Sequence, residues 1–301
     1  MSELVPRITH NEPLVPLPTD EADLARKLAD PEWRLFSGCL YKIMVKGDDE
    51  AEEAMVMPFK PNRAQRRFIK RLWHRNLILK ARQLGFTTLI SILWLDHALF
   101  NADQRCGIIA QDRDAAKVIF RDKVKFAYTN LPEQLRERFP LAADNADELL
   151  FAHNNSSIRV ATSMRSGTIH RLHISEFGKI YAKYPDKAQE VVTGSIPAVP
   201  TNGILVIEST AEGREGEFFN MVEQAQKLHA AKLPLTPKDY RFHFYAWWQE
   251  PKYRLDSRTV PISPQEHDYF DETEVAMDCR IDPDQRAWYV ATRTADFAGK
   301  E

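Results

Sequence analysis

Short apolar runs alternate with helical patterns through the middle of the chain. The apolar runs lie at residues 76–79, 106–110, 172–174 and 203–207, and segments with apolar residues at helical spacing lie at 87–101, 112–128 and 216–230. This alternation predicts an α/β fold with a mostly parallel central sheet flanked by helices, because parallel neighbours need long crossover connections. In such sheets the ligand lies at the carboxyl ends of the strands, so the polar loops after residues 79, 174 and 207 should meet at one site.

Two hairpins are predicted outside this alternation. Residues 40–45 and 54–59 flank an acidic turn at 47–50, and residues 149–152 and 157–161 flank the turn pair Asn154-Asn155. The side chains of residues 240–247 alternate in character at the period of a strand, which predicts a further strand. Residues 249–281 are charged and irregular, and a last helix is predicted to begin at Asp282-Pro283. We therefore expect an N-terminal arm, helix and hairpin at 1–57, a core at 58–250 and a subdomain or linker at 251–301.

The composition is that of a globular protein, with 301 residues, 44% of them hydrophobic and 28% charged. The formal net charge of -2 gives no global attraction to nucleic acid, so any such binding needs a local basic patch. Cys39, Cys106 and Cys279 form no C-x-x-C pair, which argues against a zinc module and fits a reducing cytoplasm. No apolar stretch is long enough for a membrane span, and the N-terminus lacks the pattern of a signal peptide.

The predicted helix at 62–73 is strongly basic outside one apolar face. Two interpretations remain open: a solvated helix face, or a surface that contacts DNA or phosphate. The basic residues are Arg63, Arg66, Arg67, Lys70, Arg71 and Arg75.

The segment from Asn76 to Ile90 has the order strand, short polar loop, helix, which is typical of a phosphate-binding loop. Against the pattern G-x-x-x-x-G-K-(S/T), Gly85 and Thr87 match, Lys80 replaces the first glycine and Phe86 replaces the lysine. Lys80 or Arg82 would then supply the cation, and Thr87 would bind Mg²⁺. The alternative is an ordinary turn between a strand and a helix. The candidate nucleotide-binding residues here are Lys80, Ala81, Arg82, Gln83, Leu84, Gly85, Phe86, Thr87 and Thr88.

Polar residues also end two other predicted strands. Ser175 and Glu176 follow 172–174. Glu176 could polarise the attacking water and help to hold the metal, and Ser175 could hold the metal through a water. Glu208, Ser209 and Thr210 follow 203–207, where they could sense the γ-phosphate; they could equally be ordinary turn residues.

Two further side chains are candidates. Gln65 lies fifteen positions before Lys80 and could read the edge of adenine, and Arg165 could stabilise charge in the transition state. His170 and His173 are three apart on a strand and point to opposite faces, so we do not interpret them as a metal pair.

These motifs resemble the large terminase subunit of tailed bacteriophages, the ATP-driven motor that packages double-stranded DNA into the prohead. The resemblance rests on Gln65 and on the segments LKARQLGFTT, LHISEFGK and GILVIESTAEG, and it covers about residues 58–248. The form R-Q-x-G-(K/F)-(S/T) is specific to terminases among phosphate-loop ATPases of the ASCE type. Some members carry the functional lysine at the front of the loop, as Lys80 would.

The resemblance implies ATP and Mg²⁺ as cofactors and a catalytic role for Glu176. It also implies an arginine finger at Arg165, acting on a neighbouring subunit of a ring, and a coupling role for 208–210. The implied partners are DNA, the portal protein and the small terminase subunit, in the host cytoplasm. Ser175 stands where most members have Asp, and the RNase H-like nuclease domain is not expected within this chain. A helicase-like DNA-processing ATPase and a catalytically degenerate docking module of the same fold are the alternatives.

Overall fold

The computed structural model describes residues 7–46, 53–165 and 167–296. Its strands are β1 (Arg7–Asn11), β2 (Lys42–Lys46), β3 (Glu53–Pro58), β4 (Arg75–Lys80), β5 (Arg105–Ile109), β6 (Leu141–Asp144), β7 (Glu148–Phe151), β8 (Ser157–Ala161), β9 (Arg171–Ser175), β10 (Ile204–Ser209) and β11 (Tyr240–Tyr245).

The α-helices frequently begin at a side chain that caps their free N–H groups, as at Asp20, Asn62 and Asp112. They are α1 (Glu21–Leu28), α2 (Pro31–Phe36), α3 (Arg63–Lys70), α4 (Phe86–Phe100), α5 (Arg113–Ile119), α6 (Phe126–Thr129), α7 (Glu133–Arg138), α8 (Phe177–Lys183), α9 (Pro185–Glu190), α10 (Gly216–Ala230), α11 (Pro264–Met277) and α12 (Pro283–Asp296). A π-helical turn, Phe120–Lys125, joins α5 to α6, and a second, Val191–Ser195, follows α9.

An eight-stranded sheet in the order β11-β4-β10-β9-β5-β8-β7-β6 forms the core of the chain. Strands β4, β10, β9, β5 and β8 are parallel, and β7 and β6 continue the sheet antiparallel. The predicted α/β fold is thereby confirmed, including the hairpin of β7 and β8. The carboxyl ends of β4, β9 and β10 are adjacent because β10 pairs with both of the others.

A second, three-stranded sheet lies before this core. Strands β2 and β3 form the predicted antiparallel hairpin, whose turn at 47–50 lies outside the described residues, and β1 pairs with β3 in parallel. A buried ion pair fixes this region to the core: Arg34 on α2 donates to both oxygens of Asp96 on α4, at 2.8 and 2.7 Å, and the hydroxyl of Tyr41 donates to Asp96 at 2.7 Å. The region that we expected to contain an arm is thus partly a strand of a sheet.

The chain divides into two compact units, Met1–Phe244 and Tyr245–Glu301. The expectation that 249–281 is irregular was wrong, because α11 lies within it. Its start is fixed by a capping box, in which the Ser263 hydroxyl accepts from the Glu266 N–H and the Glu266 carboxylate accepts from the Ser263 N–H. Inside this unit, Phe270, Ile281 and Val290 form a small core, and the rings of Tyr253 and Trp288 stack with centroids 4.1 Å apart.

Candidate phosphate-loop site

The loop between β4 and α4 has the geometry of a turn that presents a helix N-terminus. Gly85 is the N-cap of α4 with φ +70°, and Gln83 has φ +56° within the loop. The left-handed conformation at Gly85 favours glycine, and it lets the loop turn directly into the helix. The N-terminus of α4 therefore faces the loop, and a helix N-terminus is a position that suits an anion.

Gln65 holds this turn from α3. Its Nε2 donates to the Gly85 carbonyl at 2.9 Å, and its Oε1 accepts from the Asn62 N–H at 2.9 Å. A Cβ on Gly85 would lie 2.8 Å from that Nε2, so glycine is also required by the close approach. Gln65 is buried, and both the nitrogen and the oxygen of its side-chain amide form hydrogen bonds within the protein. Reading adenine would require exchanging these bonds, and that role stays a prediction.

Phe86 begins α4 as a core residue. Its ring is buried and meets the ring of Phe68 edge-on, with centroids 5.8 Å apart. An aromatic residue at this point of the motif therefore packs the loop onto α3 and has no charge to offer a phosphate. Leu84 is also buried, whereas Ala81 and Thr88 are half-buried.

Lys80, one of the two candidate cations, is buried at the last position of β4. Its Nζ lies 3.0 Å from Oε1 of Glu176 and 3.1 Å from Oε2 of Glu208, and its side chain is only 6% exposed. Burial acts to lower the pKa of Lys80, but the two carboxylates outweigh it and raise the pKa above its ordinary value. Arg82, the other candidate, is exposed in the loop.

Glu176 follows β9 directly and has a left-handed backbone, with φ +54° and ψ +49°. A glutamate in this conformation is uncommon, and such outliers cluster at functional sites. Its Oε2 accepts from the Thr210 hydroxyl at 3.3 Å and lies 3.1 Å from Nζ of Lys179. The carboxylate is thus aimed by β10 and held beside two lysines.

Glu208 lies at the centre of the site, although we expected it at the polar end after a strand. It is a residue of β10, level with Ser175 on β9 and Ile78 on β4, and it is fully buried. Its Oε1 accepts from the hydroxyls of Ser175 at 2.8 Å and Thr87 at 3.0 Å. Burial favours the neutral acid, but the charge of Lys80 and the contacts with His173 and Ser175 lower the pKa of Glu208 to about 2. The carboxylate is therefore ionised at neutral pH.

The remaining predicted residues fall into two groups. The Ser209 hydroxyl accepts from the Gly178 N–H at 3.1 Å, at the start of α8, and the Thr210 hydroxyl donates to Glu176. The coupling role of the segment 208–210 stays a prediction. Arg165 has a 64% exposed side chain and forms an ion pair with Glu190, the last residue of α9. Its role toward a neighbouring subunit is untested.

His170 and His173 contact other residues of the sheet. His170 Nδ1 accepts from the Arg105 N–H at 3.0 Å, which fixes the start of β5 beside β9. His173 is fully buried with Nε2 3.4 Å from Glu208 Oε1. Across 7–46, 53–165 and 167–296, no group of three or more His, Cys, Asp or Glu side chains could hold a metal by itself.

None of the helices in the described ranges has the length and apolar character needed to cross a lipid bilayer. No protein-family model matches the sequence, and comparison with curated proteins found no similar one.

Comparison with solved structures found phage terminases. The large terminase of bacteriophage HK97 superposes with a TM-score of 0.53 at 18% identity, over 80% of this chain and 49% of that one. The ATPase domain of the Thermus phage P74-26 large terminase gives a TM-score of 0.46 at 17% identity, over 77% of this chain and 94% of the other. A DEAD box protein from Methanococcus jannaschii gives 0.38 at 14% identity, over 77% and 62%.

The chain spans about half the length of the HK97 large terminase, and over that part the two share a fold. The resemblance that the sequence motifs indicated is therefore confirmed at the level of the fold, which is that of a phage large terminase with its helix-flanked sheet.

Proposed function

We propose that this chain is the ATPase motor domain of a phage DNA-packaging terminase, with residues 58–250 as the ATPase core. The observation that carries the proposal is the position of Lys80. One buried lysine at the end of β4 lies between two carboxylates from neighbouring strand ends, directly before a loop that opens onto a helix N-terminus. This combination of a cation, two acids and a helix N-terminus suits the binding and hydrolysis of a nucleoside triphosphate.

The phosphates would bind along residues 81–88, where the N-terminal N–H groups of α4 and the ammonium group of Lys80 favour negative charge. Glu176 would accept a proton from the attacking water, and the Thr210 hydroxyl would orient its carboxylate. Lys80 now neutralises Glu176, so a γ-phosphate that attracts Lys80 would release the base at the moment it is needed.

The side chains also fit a magnesium ion. Thr87, Ser175 and Glu208 offer only oxygen donors, and Mg²⁺ prefers one or two carboxylates together with water and substrate phosphates. When bound, Mg²⁺ would neutralise charge on the β- and γ-phosphates.

Double-stranded DNA is the proposed translocated polymer. One face of α3 exposes basic side chains, which provide the local patch that a net charge of -2 requires. The exposed ones are Arg63, Arg66, Arg67 and Lys70. The portal protein, the small terminase subunit and a homo-oligomeric ring on the prohead, with Arg165 acting between subunits, complete the proposal.

The proposal is tested by ATP binding and ATP turnover in the presence of double-stranded DNA, at protein concentrations that allow assembly. Lys80→Ala should lose binding and turnover, whereas Glu176→Ala should lose turnover alone. Lys227→Ala and Glu223→Gln are matched controls, because these residues form an exposed ion pair on α10. A wild-type chain that binds no nucleotide, or turnover unchanged in both site variants, would overturn the proposal.

A further inference from the structure

We propose that Glu208 supplies the metal-side carboxylate of this site, from β10, in place of an acid at the end of β9. The inference rests on the proposed function and deepens it. It reassigns Glu208 from the coupling segment to the Mg²⁺-binding part of the site.

The end of β9 lacks the charge that a magnesium site needs. Its last residue is Ser175, whose hydroxyl is neutral and is already donated to Glu208 at 2.8 Å. Glu176 is the next residue, but its carboxylate lies beside Lys80, Lys179 and Thr210 in the position of a base. Because Mg²⁺ is a hard cation that is usually held by one or two carboxylates, another acid has to provide the charge.

Glu208 is placed to do so by strand register. It lies level with Ser175 across the β9–β10 ladder, so the two side chains occupy adjacent places at the same end of the sheet. A carboxylate moved sideways by one strand can thus reach the same point as one at the end of β9.

The contacts of Glu208 locate that point. One oxygen, Oε1, lies between the hydroxyls of Thr87 and Ser175, at 3.0 and 2.8 Å. These are the two hydroxyl groups that the sequence pattern assigns to the metal. The acid is therefore inserted between the expected metal-side donors.

The other oxygen of Glu208 has bonding capacity left. Oε2 is fully buried, and within the part of the chain that the structure describes no hydrogen bond reaches it; it forms an ion pair with Lys80 Nζ at 3.1 Å. A fully buried carboxylate with an oxygen in this state is costly unless a further positive charge completes its surroundings. A bound divalent cation would meet that need when Lys80 turns to the phosphate.

A purely structural role, in which Glu208 only anchors Lys80, makes a different prediction about metal dependence. We therefore compare nucleotide affinity with Mg²⁺ and with EDTA, using a fluorescent ATP analogue, for the wild type and for Glu208→Gln. Glutamine keeps the shape and can still accept from Thr87 and Ser175, but it has no charge. We expect the gain in affinity from Mg²⁺ to fall by about tenfold or more, while the affinity in EDTA is retained.

Two further variants sharpen the comparison. Ser175→Asp combined with Glu208→Gln returns the carboxylate to β9, and it should restore the gain from Mg²⁺. Asp96→Asn is the matched control, because it also neutralises a buried, ion-paired carboxylate but lies at the Arg34 contact. It should lower stability and leave the gain from Mg²⁺ as in the wild type.

A measurement without any change at residue 208 covers the case in which Glu208→Gln does not fold. The Glu176→Gln variant is labelled with ¹³C at its glutamate carboxyl groups. ADP is then bound to it in the presence of Mn²⁺, which takes the place of Mg²⁺. Pulsed EPR should then detect a ¹³C nucleus coupled to the metal, and its absence would overturn the inference.

The outcomes separate the two proposals. An undiminished gain from Mg²⁺ in folded Glu208→Gln overturns the assignment of Glu208 while the ATPase proposal stands. A wild-type chain that binds no nucleotide with or without Mg²⁺ overturns the ATPase proposal itself.

Discussion

Lys80 Nζ lies 3.0 Å from Glu176 Oε1, so the proposed phosphate-binding cation and the proposed catalytic base neutralise each other in this structure. The contact joins the end of β4 to the residue after β9, with β10 between them in the sheet. Under the proposed function, nucleotide binding and activation of the base would therefore be coupled through one side chain.

Glu176→Gln should separate binding from hydrolysis. The variant removes the proton acceptor and leaves the loop and Lys80 in place, so we expect turnover to fall by about 10²–10⁴-fold with ATP affinity equal to or above that of the wild type. Equilibrium binding and single-turnover hydrolysis measure the two effects. Loss of binding in this variant would show that Glu176 belongs to the nucleotide-binding surface and is not the base.

Removing Lys80 should also destabilise the fold. Lys80→Met leaves the carboxylate of Glu208 buried without its cation, and breaking a buried ion pair in this way costs about 3–5 kcal/mol. Urea unfolding of the wild type, Lys80→Met and Lys80→Met/Glu208→Gln measures the cost. The double variant should recover part of it, because the orphan charge is gone. An equal loss in both variants would contradict the ion pair as its cause.

Gly85→Ala tests the turn that opens α4. The left-handed conformation costs an alanine about 1–2 kcal/mol, and the new Cβ also meets Gln65 Nε2. Gly167→Ala is a matched control, since Gly167 has φ +83° and no heavy atom of the described residues lies within 4 Å of the added Cβ. Gly85→Ala should lose more free energy of unfolding than the control, and Gln65→Ala should abolish the excess. Equal losses at the two glycines would exclude the contact with Gln65.

His243 should make the protein sensitive to acid. Burial lowers the pKa of His243 to about 3, and Arg71, Arg241 and Arg67 add to the effect. A depressed pKa means that stability is complete above the ordinary pKa of about 6.5 and is lost as the pH falls toward 3. By about pH 5 the loss amounts to about 2 kcal/mol.

His243→Phe removes the titration and keeps a ring beside Phe68. Its free energy of unfolding should therefore fall less than that of the wild type between about pH 7.5 and about pH 5, by about 2 kcal/mol. The same substitution at His229, which is exposed on α10, controls for the loss of a histidine. Identical pH dependence in wild type and His243→Phe would contradict the buried neutral ring.

The sheet could be predicted because its strands are short apolar runs with polar residues at their ends. Two features were not predicted, because the polarity of their residues does not match the burial of those residues in the structure. Glu208 follows an apolar run and therefore resembles the end of a strand, but the ion pair with Lys80 keeps a charge inside β10. The helix α11 has no continuous apolar stripe, and Val275 is 85% exposed, so its pattern was missed. The capping box of Ser263 and Glu266 was the available signal.

The site could be predicted as a set of residues but not as a network. Spacing placed Lys80, Thr87, Glu176 and Glu208 at strand ends or at the following helix. It could not tell which acid would meet the lysine, because that depends on strand order and register. The order β4-β10-β9 makes Glu208 the central residue, and an alternation of strands and helices along the chain does not specify it.

A crystal structure with Mg²⁺ and a non-hydrolysable ATP analogue would show directly which side chain contacts the phosphates. We predict that Lys80 Nζ lies about 3 Å from an oxygen of the β- or γ-phosphate and has moved away from Glu176. Glu176 should then face the γ-phosphate without a cation on its Oε1. The prediction is contradicted if Lys80 remains between Glu176 and Glu208 while Arg82 or another side chain contacts the phosphates.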